Sequence, residues 1–119
     1  SISHRANAHW LTERLIFELA LAPDGVSALS LTAPTHANCS PDKPCQPVDF
    51  ASDNVARWQA AVARSLPSGG GQLCHDSSPN DGNPGNWACD GNGSLVIKLA
   101  WREVGKTGNW SRVYRNLQP

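Results

Sequence analysis

Four cysteines are the residues of this 119-residue chain whose chemistry is easiest to interpret. Cys39, Cys45, Cys74 and Cys89 lie in stretches rich in Pro, Gly, Asn and Asp, residues that form turns and loops. An even number of cysteines in such loops predicts two disulfides and an oxidising compartment. Four cysteines allow three pairings; we favour Cys39 with Cys45 and Cys74 with Cys89, because each of these pairs closes a short, turn-rich loop.

Metal binding is the competing interpretation of these loops. Zinc sites have ligand spacings such as C-x2-C, and neither the cysteines nor His36 and His75 provide one, so we expect no zinc and no other cofactor. The loop of residues 76–92 is rich in Asp and Asn, whose oxygens are of the type that calcium prefers. The loop lacks the EF-hand register, and turn formation explains the same residues as well. Calcium therefore remains an alternative for this loop.

Catalytic motifs are absent from the sequence. There is no G-x-S-x-G, no H-E-x-x-H, no P-loop and no dinucleotide-binding glycine pattern. His4 and His9 are one step off the spacing that would place two metal ligands on one helix face, and Glu13 beside them reads as a solvated charge. Ser111 and His75 have no recognisable partner. We therefore expect a protein that is not an enzyme.

The elements that carry these residues begin with a helix over residues 3–22, ended by Pro23-Asp24-Gly25. Helical spacing places apolar residues on two nearly opposite sides of this helix. One stripe comprises Ala8, Leu11, Leu15, Leu19 and Ala22, and the other comprises Trp10, Phe17 and Leu21. Either the helix is buried in the centre of the domain, or one stripe packs on its own domain and the other on neighbouring chains or on a missing partner.

The rest of the chain predicts a second helix and a small sheet. After an irregular connection over residues 30–49, a helix runs from Ser52, as N-cap, to Leu66. A short strand over residues 72–75 and the polar loop follow. Alternation predicts a half-buried strand over residues 95–102, a turn at 105–108 and a returning strand over 110–117. In that last strand, Arg112 and Tyr114 are expected on the wetter face.

This order of elements predicts a single α+β domain over residues 1–119, in which the long first helix covers one face of a small antiparallel sheet. The chain has 10 basic and 10 acidic residues and a formal net charge of zero, with no basic cluster. Nucleic acid is therefore excluded as the main partner. No apolar stretch reaches the roughly 18–20 residues that span a bilayer.

One combination of motifs resembles a known family. A tryptophan in an amphipathic helix is followed by an L-P-x-G-G motif, a cysteine, a polar loop with a second cysteine, and a strand that ends in Trp-Arg. In this sequence these are Trp58, Leu66-Pro67-Ser68-Gly69-Gly70, Cys74, Asp81-Gly82, Cys89-Asp90-Gly91 and the strand from Val96 to Arg102. Together with the opening helix, this order resembles the PilV family of minor pilins, the type IV pilus modification proteins, over nearly the whole chain; residues 26–50 are the least characteristic.

The resemblance implies a type IV pilin-like fold and a non-catalytic function in pilus assembly or initiation, in a complex of minor pilins at the pilus tip. Other minor pilins and the major pilin would be the partners, and Trp10, Phe17 and Leu21 a candidate assembly interface. Proteins of this family move from the bacterial inner membrane and periplasm to the extracellular pilus. It carries a leader and an apolar half-helix that this sequence lacks, so we expect the chain to be a piece of a longer subunit, attached to the membrane only through that missing segment.

Two other functions fit the same pattern. The minor pseudopilins of type II secretion have a similar helix with a head of different pattern. A pilus-tip adhesin would use its loops, including Trp87 and Trp110, to bind a surface or a glycan.

Overall fold

The computed structural model of the chain describes residues 3–29, 34, 35, 37, 39–103 and 109–117. Within these residues the helices are α1 (His4–Ala20), α2 (Pro23–Ser27) and α3 (Pro47–Ser65). The strands β1 (Gly70–His75), β2 (Leu95–Trp101) and β3 (Ser111–Asn116) form an antiparallel sheet of order β1-β2-β3. The predicted α+β architecture, with helices first and a small antiparallel sheet after them, is confirmed.

Helix α1 begins where the sequence predicts. The Ser3 hydroxyl caps it by accepting a hydrogen bond from the Ala6 amide at 3.1 Å, and Leu21 is its C-cap. Pro23 does end the helix, but it also begins the short helix α2, which the sequence reading missed. Proline is well placed there because the first turn of a helix leaves its N–H groups without helical acceptors.

Helix α3 begins at Pro47, and its N-cap is Gln46, six residues before the predicted one, so the assignment of Ser52 as N-cap is wrong. Pro47 fits the first helical turn, and Asp49 lies near the positive end of the helix dipole. Ser52 is instead buried inside the helix, where its hydroxyl accepts a hydrogen bond from the Thr35 amide at 2.7 Å. A serine that anchors the preceding connection therefore resembles, in sequence, a serine that starts a helix.

The core lies between the sheet and both long helices. Its residues come from one stripe of α1, one stripe of α3 and the inward face of the strands. Helix α3 packs on β1, whereas α1 packs on β2 and β3 and on α3. The sheet is therefore covered by α1 and α3 together, and not by the first helix alone. The central apolar residues are Ala8, Leu11, Leu15, Leu19, Val55, Trp58, Val62, Leu73, Ile97, Leu99, Trp101 and Val113.

The prediction that β2 is a half-buried strand is wrong, because all seven of its residues are buried. The face that carries Lys98 is covered by the loop of residues 76–93. A disulfide holds this loop at one side, and at the other Arg112 Nε donates a hydrogen bond to the Gly82 carbonyl at 2.8 Å. On β3, Tyr114 is exposed as expected and Arg112 is half-buried. The predicted turn at 105–108 lies outside the described residues.

Candidate functional site

The outward face of α1 carries large apolar side chains that none of the described helices, strands or loops covers. Trp10, Phe17 and Leu21 are 58%, 67% and 63% exposed, whereas the opposite stripe of the same helix is buried. Arg14 lies between them, 5.2 Å from the centroid of the Trp10 ring and 3.1 Å from a carboxylate oxygen of Glu18. Of the two stripes that the sequence left open, the structure thus buries the alanine and leucine stripe and exposes the aromatic one. We refer to Trp10, Phe17 and Leu21 as the outer stripe.

A groove continues from the C-terminal end of the outer stripe. It has a volume of about 400 Å3, and Leu21, Pro23, Pro47, Phe50 and the first disulfide line it. The junction of α1 and α2 forms one side of the groove, and the start of α3 with the first disulfide forms the other. Isolated apolar side chains are common on protein surfaces, but a stripe that runs into an apolar groove is typical of an interaction surface.

The two disulfides have the predicted pairing. Cys39 is bonded to Cys45 and Cys74 to Cys89, with Cα separations of 5.2 and 6.2 Å. The first closes a six-residue step in the connection before α3, and the second ties the end of β1 to the loop of residues 76–93. Both therefore hold segments that contribute little apolar surface to the core.

The loop of residues 76–93 closes over a buried ammonium group. Lys98, in the middle strand, is 1% exposed, and its Nζ donates hydrogen bonds to Asp76 Oδ2 at 2.5 Å, to Asp81 Oδ1 at 2.6 Å and to the Trp87 carbonyl at 2.6 Å. Three acceptors match the three N–H donors of an ammonium. We call Lys98, Asp76 and Asp81 the Lys98 cluster.

The Asp76 carboxyl is the most enclosed acid of this cluster, and its side chain is fully buried. Burial alone would raise its pKa, but the hydrogen bond and charge of Lys98, together with the hydrogen bond from the Ser78 amide, outweigh burial and lower the pKa. The carboxylate is therefore ionised and paired at neutral pH. Asp81 lies at the rim of the cluster, with its side chain 40% exposed.

The aspartate oxygens that the sequence offers as possible calcium ligands make hydrogen bonds within the chain. Those of Asp76 and Asp81 bind Lys98, and those of Asp90 accept hydrogen bonds from Ser77 and from the Asn92 amide. The ammonium thus fills the position among the carboxylates that a cation would take. Cys74, Asp76 and Cys89 also lie close together, but the two sulfurs form a disulfide and offer no thiolate ligand.

The structure does not bring the other sequence candidates together. His4 Nδ1 lies 2.6 Å from Glu103 Oε2, whereas Glu13 pairs with Arg115 on β3. His75 Nδ1 lies 3.1 Å from the Gly93 carbonyl oxygen. His9 is exposed on α1. His4, Glu13 and His75 therefore make separate contacts with different parts of the chain.

The two loop tryptophans are both half-buried. Trp110 is covered by the guanidinium of Arg102, 4.4 Å from the ring centroid. Trp87 lies close to Gly70 and Gly82, where the loop crosses the sheet. Both rings thus help to hold their loops in place.

Sequence reasoning missed the Lys98 cluster. The signal was a lysine in the middle of an otherwise apolar strand, which alternation assigned to a solvent-exposed face. The aspartates of the preceding loop were explained as turn formers, and nothing in the sequence placed them over that strand.

Comparison of the chain with protein-family models, with curated proteins and with solved structures gives no match. Among the described residues, no helix combines the length and the apolar character needed to span a bilayer.

Proposed function

We propose that this chain is the head of a non-catalytic minor pilin that takes part in type IV pilus assembly or initiation, in a complex with other minor pilins and the major pilin. In this proposal the outer stripe of α1 packs against helices of neighbouring subunits, and the sheet with its disulfide-bonded loops remains outside the bundle of helices. The protein would pass from the inner membrane and periplasm to the extracellular pilus.

The observation that carries the proposal is the exposure of the outer stripe on a helix whose other side is fully packed. Burying Phe17 and Leu21 against a partner would contribute roughly 1.5–3 kcal/mol for each side chain. A helix with one face on its own sheet and an apolar second face is what a subunit of a helical assembly requires. The resemblance in the order of helix, L-P-x-G-G motif, cysteines and Trp-Arg strand supports the same class.

The disulfides support the extracellular part of the proposal. Structural disulfides persist in the periplasm and outside the cell, where thiol reductants are scarce. The pairing observed here crosslinks the two connections that have the least core. A head held in this way would retain its shape at a pilus tip.

The proposal is tested by introducing Phe17→Asp and Leu21→Asp, each alone, into the native gene of the producing bacterium and counting surface pili. We expect each change to reduce piliation several-fold, because burying a carboxylate at an apolar contact removes its hydration, and the nearby Arg14 is already paired with Glu18. The matched control is His9→Asp, an exposed position on α1 about 100° away from the outer stripe. Normal piliation with both stripe variants would contradict the proposal.

Two further measurements separate the alternatives. The purified Phe17→Asp and Leu21→Asp chains should keep the melting temperature of the unmodified chain, so that a loss of pili reports assembly and not folding. The minor pseudopilin of type II secretion would use the same outer stripe, and loss of protein export with intact twitching would favour it. The adhesin alternative receives less support, because Arg102 covers Trp110 and Trp87 packs near the sheet.

A further inference from the structure

The Lys98 cluster combines the groups that an amide-forming reaction needs. The primary amine of Lys98 lies within hydrogen-bond distance of both a carboxyl acceptor and a second carboxylate, with Nζ 2.5 Å from Asp76 Oδ2 and 2.6 Å from Asp81 Oδ1. The Lys98 and Asp76 side chains are 2% and 0% exposed. Because the acceptor carbon is one bond beyond Oδ2, the amine is held close to the atom that it would attack.

We propose that Lys98 and Asp76 form an intramolecular isopeptide bond, with Asp81 as the group that moves the proton. The crosslink would join the middle strand β2 to the residue that follows β1. This inference does not depend on the proposed pilin function, because it uses only groups inside the folded domain.

The protons of the reaction move between Lys98 Nζ and the two carboxylates that accept its hydrogen bonds. The Lys98 ammonium gives one proton to Asp76 Oδ2, which leaves a neutral amine and a neutral carboxylic acid. The amine lone pair attacks Asp76 Cγ and forms the carbon–nitrogen bond. Asp81 takes the second proton from nitrogen and delivers it to the Oδ2 hydroxyl, which leaves as water when the carbon–oxygen bond breaks. Asp81 returns to its carboxylate form, and the net products are one amide and one water.

The second oxygen of Asp76 is held in a way that assists this step. Oδ1 accepts a hydrogen bond from the Ser78 amide at 3.0 Å. When Oδ2 carries the transferred proton, Oδ1 is the carbonyl oxygen, and negative charge develops on it as the amine attacks. A backbone N–H that already points at this oxygen stabilises that charge without reorganisation.

Burial affects both the first step of the reaction and its product. Burial disfavours the charged forms of both groups, whereas their ion pair stabilises those forms, so the transfer of a proton from Lys98 to Asp76 is the uphill first step of the reaction. Exclusion of water by the loop protects the product from hydrolysis. Asp81, at the exposed rim, provides a route by which the released water reaches solvent. In the unfolded chain none of these groups are adjacent, so the bond would form only after folding.

The test is the intact mass of the full chain, purified, with its disulfides reduced and the protein denatured. We expect a mass lower than that of the sequence by one water, and a protease digest in which a peptide containing Asp76 is joined to a peptide containing Lys98. A wild-type chain that keeps the full sequence mass after prolonged incubation in the folded state overturns the proposal. This measurement does not require any variant to fold.

Variants then assign the roles. Lys98→Arg and Asp76→Ala remove the nucleophile and the acceptor, so both should have the full sequence mass. Asp81→Asn keeps a hydrogen-bond acceptor but not a proton carrier, and should slow the loss of water at least tenfold; an unchanged rate overturns the role of Asp81. The matched control is Asp90→Asn, in the same loop but bonded to Ser77 and Asn92, which should lose water as the wild type does.

Discussion

Trp58 of α3 lies directly on Gly71 of β1, so that a Cβ atom at Gly71 would overlap the six-membered ring of the tryptophan. Trp58 is 1% exposed and belongs to the core between the helices and the sheet. Next to this contact, Gln59 Nε2 donates a hydrogen bond to the Gly71 carbonyl at 3.0 Å. The glycine is therefore the point at which α3 reaches the backbone of the sheet.

The first prediction follows from that contact. Gly71→Ala should lower the free energy of unfolding by about 1–3 kcal/mol, because the added methyl overpacks a core that has no free volume at the ring. Urea denaturation followed by tryptophan fluorescence measures the change. Gly85→Ala, at an exposed position in the loop of residues 76–93, is the control and should change stability by less than about 0.5 kcal/mol. Equal effects of the two substitutions would argue against the observed packing of Trp58.

The second prediction concerns the disulfides. The Cys74–Cys89 bond closes a 15-residue step and the Cys39–Cys45 bond a six-residue step. In the chain-entropy account, replacing Cys74 and Cys89 by serines should lower the free energy of unfolding by about 3 kcal/mol, and replacing Cys39 and Cys45 should lower it by about 2 kcal/mol. Thermal unfolding of the two double-serine variants gives the order. If the Cys39–Cys45 variant is the less stable one, local packing and not chain entropy governs the contribution of these bonds.

Much of the fold was accessible from sequence because its signals are local. Helical spacing separated the two apolar stripes of α1, although it left open which one is buried. Pro67 and the glycines after it predicted an end of α3 close to the observed one. Loop length favoured the disulfide pairing that the structure contains. Each of these inferences depends on residues that are near one another along the chain.

The inferences that failed required knowledge of distant contacts. Ser52 reads as an N-cap, but its hydroxyl accepts a hydrogen bond from the amide of the distant Thr35, and the helix begins at Pro47. Lys98 reads as solvent-exposed because strand alternation does not report what covers the second face. The loop of residues 76–93 covers it, held by the disulfide and by Arg112.

The third prediction tests the tether before α3. Asp53 is buried, accepts a hydrogen bond from the Ala37 amide at 2.9 Å and pairs with Arg57 at 2.7 Å. Asp53→Ala should cost about 1–3 kcal/mol, because it leaves the Ala37 amide without its acceptor. Hydrogen exchange at the Ala37 amide should accelerate as well. Arg57→Ala, which removes the ion pair but leaves that amide bonded, is the control and should cost less than about 1 kcal/mol.

The last prediction concerns Asp90 and acid. Hydrogen bonds from the Ser77 hydroxyl, and from the Asn92 and Ser77 amides, lower the pKa of Asp90 below the ordinary range of an aspartate. Because the folded pKa is the lower one, the stabilisation is complete above the unfolded pKa and is lost as the pH falls through the folded value. The melting temperature of wild type should therefore exceed that of Asp90→Asn at about pH 6, with the difference shrinking towards about pH 3. The other carboxyls titrate in both proteins and cancel in the comparison, so a difference that stays constant over this range would mean that the Asp90 carboxylate is not held by these donors.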